Sequence, residues 1–193
     1  MSLCVPKKIN IMSNIKNLHN KHFEIFISAA QIQTRIQAMG QQIAADYQGK
    51  KPLFIGILNG AFVFAADLLR ACEGIEATIT FTKLSSYKGT TSTGAVTTLI
   101  GLDTALKNRH IIIIEDIIDT GKTLSVFLDI IRNEKPASIA LATCLLKPTA
   151  LQYPLHIDYC GFEIPNEFVI GYGLDYDGLG RDFKDIYKNK NIK

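Results

Sequence analysis

Cysteine and histidine, the usual carriers of disulfides and transition metals, are sparse and unpatterned in this chain of 193 residues. Cys4, Cys72, Cys144 and Cys160 are scattered, with no CxxC pair among them. Cys72 falls in a helical pattern, and Cys144 and Cys160 fall in apolar strand-like runs, so each reads as a small buried apolar residue. His19, His22, His110 and His156 show neither ligand nor triad spacing. Charge of one sign is also lacking. A formal net charge of +3 gives no electrostatic footprint for nucleic acid. No apolar run approaches the roughly 20 residues of a membrane helix. The opening MSLCVPKKINIMSN has no long apolar stretch of the kind a signal peptide needs. The expected setting is the cytoplasm, with neither membrane nor nucleic acid as a partner. Repeats and linker-like boundaries are missing too, so residues 1–193 read as one domain.

What the chain does have is an alternation of strands and helices. Ser28 opens a helix with Gln31 placed for a capping box, and Ile32, Ile36, Met39, Ile43 and Tyr47 follow at helical spacing. After Pro52 comes a short apolar strand, Leu53 to Leu58, broken by Asn59-Gly60. Ala61 to Cys72 reads as a second helix and Ala77 to Leu84 as a half-buried strand. Ser85 to Thr98 is Ser, Thr and Gly with almost nothing apolar, a loop that cannot form core. Further on, Thr123 to Asn133 reads as helix and Ser138 to Leu145 as strand. Two last short strands, Tyr159 to Phe162 and Phe168 to Leu174, are separated by Pro165-Asn166. Residues 1–27 are peripheral, and the lysine-rich stretch Lys184 to Lys193 reads as a solvated tail. The pattern implies an α/β fold, a doubly wound and mainly parallel sheet flanked by helices. Ligands of such sheets sit at the carboxyl ends of the strands.

The chemistry concentrates in Ile111 to Thr123, IIIIEDIIDTGKT. Four isoleucines suit a strand buried on both faces. Glu115 and Asp116 come next, where that strand is expected to surface. Asp119-Thr120-Gly121-Lys122-Thr123 then forms a polar turn before helix resumes. Bare amides at a helix start attract phosphate, and two nearby carboxylates suit sugar hydroxyls or hydrated Mg²⁺. The arrangement fits a sugar phosphate. Gly121-Lys122-Thr123 also matches the end of a Walker A loop. That loop needs a glycine five residues before its Gly-Lys pair, and Asp116 stands there.

This segment resembles the phosphoribosyl-pyrophosphate motif of type I phosphoribosyltransferases, in particular the hypoxanthine-guanine branch. The resemblance spans roughly Leu53 to Phe183 in the family's order of motifs. It implies that the amides and hydroxyls of Asp119, Thr120, Gly121, Lys122 and Thr123 cradle the 5-phosphate. Glu115 and Asp116 would meet the ribose hydroxyls, partly through Mg²⁺, with Asp175 as a further metal ligand. Asp119 would face purine N7 as general base. Its structural alternative is a helix cap, worth about 1 kcal/mol.

Leu58-Asn59-Gly60-Ala61 matches a pyrophosphate loop that commonly reads Leu-Lys-Gly-Gly, often with a cis peptide. Here Asn59 replaces the lysine, which removes any role for its charge but not backbone binding by Gly60. Ser86 and Tyr87 match a loop that closes over the site, so 85–98 is expected to be a mobile lid excluding water from an oxocarbenium-like transition state. The run Gly161 to Phe183, GFEIPNEFVIGYGLDYDGLGRDF, matches the family at almost every position. Within it Phe168 would stack on the purine, the Val169 backbone would read its edge, and Arg181 would touch pyrophosphate. Lys147 would donate to the purine 6-oxo group and oppose the amino group of adenine. The terminal segments would form a small hood. The implied activity is Mg²⁺-dependent transfer of a 5-phosphoribosyl group from phosphoribosyl pyrophosphate to N9 of hypoxanthine or guanine, in a homodimer or homotetramer. Two alternatives stay open: a transferase preferring xanthine, which Lys147 does not exclude, and a regulator that senses phosphoribosyl pyrophosphate.

Overall fold

The isoleucine run lies at the middle of a sheet, as its unbroken apolarity requires. A computed structural model describes residues 15–86, 96–100 and 104–190. In chain order the elements are β1 (Ile15–Leu18), β2 (Lys21–Ile27), α1 (Ala29–Asp46), β3 (Leu53–Leu58), α2 (Phe62–Ala71), β4 (Thr78–Ser86) and β5 (Val96–Ile100). They continue as β6 (His110–Ile118), α3 (Lys122–Asn133), β7 (Ser138–Leu146), β8 (Tyr159–Glu163), β9 (Val169–Ile170) and β10 (Ile186–Asn189). The main sheet has the order β5-β4-β3-β6-β7-β8, parallel except for the β4–β5 pair.

Ile111 to Ile114 are fully buried and feed two cores. Ile112 and Ile114 face α1 and α2, whereas Ile111 and Ile113 face α3. Each such side chain contributes roughly 1.5–3 kcal/mol relative to exposure. Helix α1 begins as its sequence implies, with a complete Ser28–Gln31 capping box. The chain turns outward from β3 through α2 to β4 on one side, and from β6 through α3 to β7 on the other. The crevice between β3 and β6 is therefore the switch point at which such sheets take ligands.

Several boundaries differ from the sequence reading. Strand β6 carries both acids and runs on to Ile118, because β7 keeps pairing with it through Glu115↔Thr143, Ile117↔Leu145 and Ile118↔Leu146. The expected strand Phe168 to Leu174 shrinks to Val169–Ile170, since Gly171, Tyr172 and Gly173 all take positive φ. The ends of the Ser85–Thr98 loop are strand: β4 runs through Ser86 and pairs with β5 from Val96. Tyr87 and the rest of that loop to residue 95 lie outside the described residues.

The lysine-rich tail is likewise not simply solvated. Its Ile186 and Tyr187 are buried, and β10 pairs with β2 and β9 in an antiparallel sheet of order β1-β2-β10-β9. This sheet is the hood. Its own small core is Phe23, Ile170 and Tyr187, while Lys188 and Lys190 reach Glu24 at 3.6 and 3.7 Å.

Candidate active site

Five chain segments converge on the carboxyl ends of β3, β6 and β7. The first follows β3, where the Leu58–Asn59 peptide is cis. The chain turns there and enters α2. Gly60 lies so close to β6 that a Cβ built on it would sit 1.5 Å from Asp116 Oδ2. On its other side the Gly60 carbonyl abuts Gly173, whose own Cβ would lie 2.2 Å from that oxygen. Only a residue without a side chain fits between them.

Glu115 and Asp116 come second. Glu115 Oε2 is sealed from solvent and has no hydrogen-bond partner, although the residue as a whole is partly exposed. Burial first, and then the neighbouring Asp116 charge, push its carboxyl well above the usual range. The Asp116 carboxyl is pushed up to about 6, mainly by burial. Asp175 adds to this, while the Ile117 amide, donating to Oδ1 at 2.8 Å, and Arg181 oppose it. Two poorly compensated carboxylates near the carboxyl end of a strand are a place for positive charge or for sugar hydroxyls.

The third segment is the turn from Asp119 to Gly121. Gly121 precedes the first turn of α3 with φ 79°, and no side chain caps the helix. Asp119 is thus not the N-cap: α3 starts at Lys122, one residue earlier than Thr123, and the left-handed glycine takes the capping position. Gly121 is also needed for space, because a Cβ would press on Leu155 at 2.9 Å and Leu151 at 3.0 Å. The Gln152 and Tyr153 amides donate to the Thr120 carbonyl at 3.0 and 3.2 Å, fixing the turn from below. Thr120 Oγ1 accepts from the Lys122 amide at 3.4 Å. Glu115, Asp119, Thr120, Gly121, Lys122 and Thr123 line a cavity of about 150 Å³. The first-turn amides of such a helix lack intrahelical partners, as phosphate binding requires. A larger cavity, about 800 Å³, lies away from these loops between α3 and residues 153–158. Within it Arg132 pairs with Asp129, and His156 Nε2 lies 3.5 Å from Asp158 Oδ1.

Lys147 comes next, and register explains its place. Ile118 pairs with Leu146, and the Lys147 amide extends the ladder to the Ile118 carbonyl at 2.9 Å. The residues that follow, Asp119 and Lys147, are therefore neighbours across the two strand ends. Lys147 Nζ stands 3.3 Å from Asp119 Oδ2. Lys147 is 8% exposed, unusual for a lysine, while the Asp119 side chain is 50% exposed.

The last segment, 168–181, closes the site from the hood side. Phe168 is 43% exposed, so it is not a core aromatic. Val169 is buried, and its strand pairs with β10 through Lys188. Arg181 donates to the Gly173 carbonyl at 2.7 Å and pairs with Asp175 Oδ1 at 2.6 Å. The Gly178 amide donates to Asp175 Oδ2 at 2.7 Å. Among the described residues no three His, Cys, Asp or Glu side chains are grouped closely enough to hold a metal, so Glu115, Asp116 and Asp175 do not form a closed cage. Sequence reasoning missed Lys21 and Tyr176. Lys21 Nζ lies 5.0 Å from the centroid of Phe168 and 4.4 Å from that of Tyr176. Lys21 belongs to a hood strand that had no readable pattern.

Buried acids and a glycine turn that opens a helix, at the switch point of a doubly wound sheet, suit the class of proteins that handle a nucleotide or sugar phosphate. The chain belongs to the phosphoribosyl transferase family, whose domain model matches residues 28–177. Within that family it is similar to the hypoxanthine phosphoribosyltransferase of Buchnera aphidicola, with 41% identity over 160 residues, 81% of this chain and 90% of that protein. The hypoxanthine-guanine phosphoribosyltransferase of Bacillus subtilis is 41% identical over 154 residues, 79% of this chain and 85% of that one. A bifunctional protein, TilS/HprT, of Listeria innocua is 41% identical over 168 residues, 86% of this chain. The chain spans about a quarter of that longer relative, 26% of its length. Among solved structures, a hypoxanthine phosphoribosyltransferase of Staphylococcus aureus superimposes with a TM-score of 0.84 at 34% identity, covering 94% of this chain and 97% of that one.

Proposed function

We propose that this protein transfers the 5-phosphoribosyl group of phosphoribosyl pyrophosphate to N9 of hypoxanthine, and of guanine, in purine salvage. The observation that carries this reading is the Lys147–Asp119 pair, 3.3 Å apart beside the glycine turn. A buried ammonium and a half-exposed carboxylate offer a donor and an acceptor side by side. The 6-oxo group and N7–H of a 6-oxopurine present the complementary acceptor and donor on one edge. Adenine presents an amino group to Lys147 and is refused. Phe168, exposed and held by Tyr176 at 5.6 Å between ring centroids, supplies a face for stacking.

In the reaction the N9 lone pair forms a bond to C1′ of the ribose as the C1′–O bond to pyrophosphate breaks. The bonding electrons leave with pyrophosphate, and Asp119 takes the proton released at N7. Its charge also lies close to the cationic sugar that develops. Amides at the start of α3 and the Thr120 and Thr123 hydroxyls hold the 5-phosphate. Gly60 gives pyrophosphate a close approach to backbone, with Arg181 beside it.

Mg²⁺ fits the donor set. Glu115 Oε2 is a buried oxygen without a partner, and both carboxylates of the pair carry raised affinity for a positive neighbour. Glu115, Asp116 and Asp175 would hold the ion together with substrate oxygens, consistent with the lack of a closed three-residue cage among the described residues. Bound there, it would offset the negative charge of the pyrophosphate. The test is an assay with Mg²⁺, phosphoribosyl pyrophosphate and each of hypoxanthine, guanine, xanthine and adenine. Turnover of hypoxanthine with adenine ignored is expected. Binding of phosphoribosyl pyrophosphate without turnover of any base would replace the proposal with a sensor.

A further inference from the structure

Gly60 is fixed from one side by Asp116 and from the other by the Gly171–Gly173 turn, and that turn is itself anchored. Its three residues have φ of 97°, 51° and 98°. The Gly171 and Leu174 backbones pair reciprocally at 3.0 and 3.1 Å, making a tight turn with Tyr172 and Gly173 at its tip. Tyr172 and Gly173 amides donate to the Phe183 and Arg181 carbonyls at 2.8 and 3.0 Å. These bonds tie the turn to the segment that follows it. They do not tie it to the pyrophosphate loop.

That connection is made by a side chain. Tyr172 is 5% exposed, a non-glycine residue in left-handed backbone, and its hydroxyl donates to Asp67 Oδ2 at 2.7 Å. Asp67 lies on α2, the helix that the Asn59-Gly60-Ala61 loop leads into. Its carboxylate also accepts from Gln33 Nε2 of α1 at 3.1 Å and pairs with Arg70. Burial opposes ionisation of Asp67, but the bonds from Tyr172, Arg70 and Gln33 outweigh it and hold its carboxyl below the usual range. The acceptor is thus charged, and a hydrogen bond to a charged group is among the stronger kinds.

We propose that Tyr172 and Asp67 are positioning residues for pyrophosphate: their hydrogen bond clamps the Gly173 tip and α2 together, and so presses the Gly60 peptide into its place against Asp116. The inference rests on the phosphoribosyl-transfer reading of the site. Neither side chain touches a reacting atom. What they control is the spacing of Gly60 between two surfaces that leave no room for a Cβ. Without the clamp that spacing is no longer held.

Tyr172→Phe keeps the ring and removes only the hydroxyl. It is expected to raise KM for phosphoribosyl pyrophosphate, and to weaken binding of inorganic pyrophosphate in calorimetry, by about tenfold, the size expected for one charge-assisted bond. KM for hypoxanthine should stay unchanged. Asp67→Asn, which still offers an oxygen to the tyrosine, should retain most of the affinity that Asp67→Ala loses. The double variant Tyr172→Phe with Asp67→Ala should lose no more than Asp67→Ala alone. Wild-type pyrophosphate affinity in Tyr172→Phe would overturn the inference. Equal losses for both substrates alongside a lowered Tm would do so as well, since they mark a structural role only. Pyrophosphate binding is read without turnover, so a failure of the proposed reaction would show as an inactive wild type while the clamp is still measured.

Discussion

Gly60→Ala places a methyl group where the wild-type chain has an oxygen of Asp116. The new Cβ would fall 1.5 Å from Asp116 Oδ2 and 2.4 Å from its Cγ. Ordinary contact begins near 3.5 Å, so the two must separate by roughly 2 Å. Asp116 is a poor candidate to yield, because it sits inside β6 with its Oδ1 held by the Ile117 amide at 2.8 Å. The loop cannot retreat either, because the Gly60 carbonyl is already against Gly173. One of the two neighbours must lose its native position. Overpacking of this kind costs about 1–3 kcal/mol of stability, which leaves the domain folded. Displacing a substrate-binding peptide by more than 1 Å lowers kcat/KM by about 10²-fold or more. Steady-state kinetics with varied phosphoribosyl pyrophosphate, beside a thermal melt, would measure both effects. A folded Gly60→Ala protein with wild-type KM and kcat would refute the claim that this glycine is required for space.

Other perturbations test the remaining parts. Asp119→Asn should still fold, since Asp119 does not cap α3, and lose about 10²–10⁴-fold in kcat, the range of a general base; an equally active variant would remove Asp119 from that role. Lys147→Met should lose roughly 10²-fold in kcat/KM for hypoxanthine and narrow its preference over adenine, because the donor that discriminates is gone; competition between the two bases would show it. In Mg²⁺-free buffer, burial raises the Asp116 carboxyl from an ordinary 3.8 to about 6. A raised acid stabilises the fold fully below 3.8, and that contribution is lost as pH rises through about 6, on the order of 3 kcal/mol. Melts of wild type and Asp116→Asn should therefore diverge between pH 4 and 7, the wild type falling behind; parallel curves would contradict the assignment.

Much of the site was legible because its parts are contiguous. Ile111 to Thr123 carries a buried strand, two acids, a turn and a helix start, all within the reach of local pattern, and the structure keeps them in that order. Gly60 was legible as a break after a strand, and the capping box at Ser28 was readable because it involves residues only three apart. The hood was not legible from pattern. Its strand β10 is four residues long, with lysines that mimic a solvated tail, and what makes it a strand is pairing with β2 more than 150 residues earlier. Where β6 ends was not legible either, for a similar reason. Nothing local says that acids continue a strand, whereas the β7 ladder does.

By itself the sequence determined the alternation of elements, the central apolar strand and the chemistry of the phosphate turn, because hydrophobic period and turn residues act over a few positions. Tertiary structure alone decided the rest. Register set Lys147 beside Asp119, although 28 positions separate them. Sheet order set Gly60 against Asp116, and a turn from the far end of the chain closed on Gly60 from behind. Burial then raised the affinity of two carboxylates for positive charge, since desolvation depends on everything packed around a group and not on its neighbours in the chain.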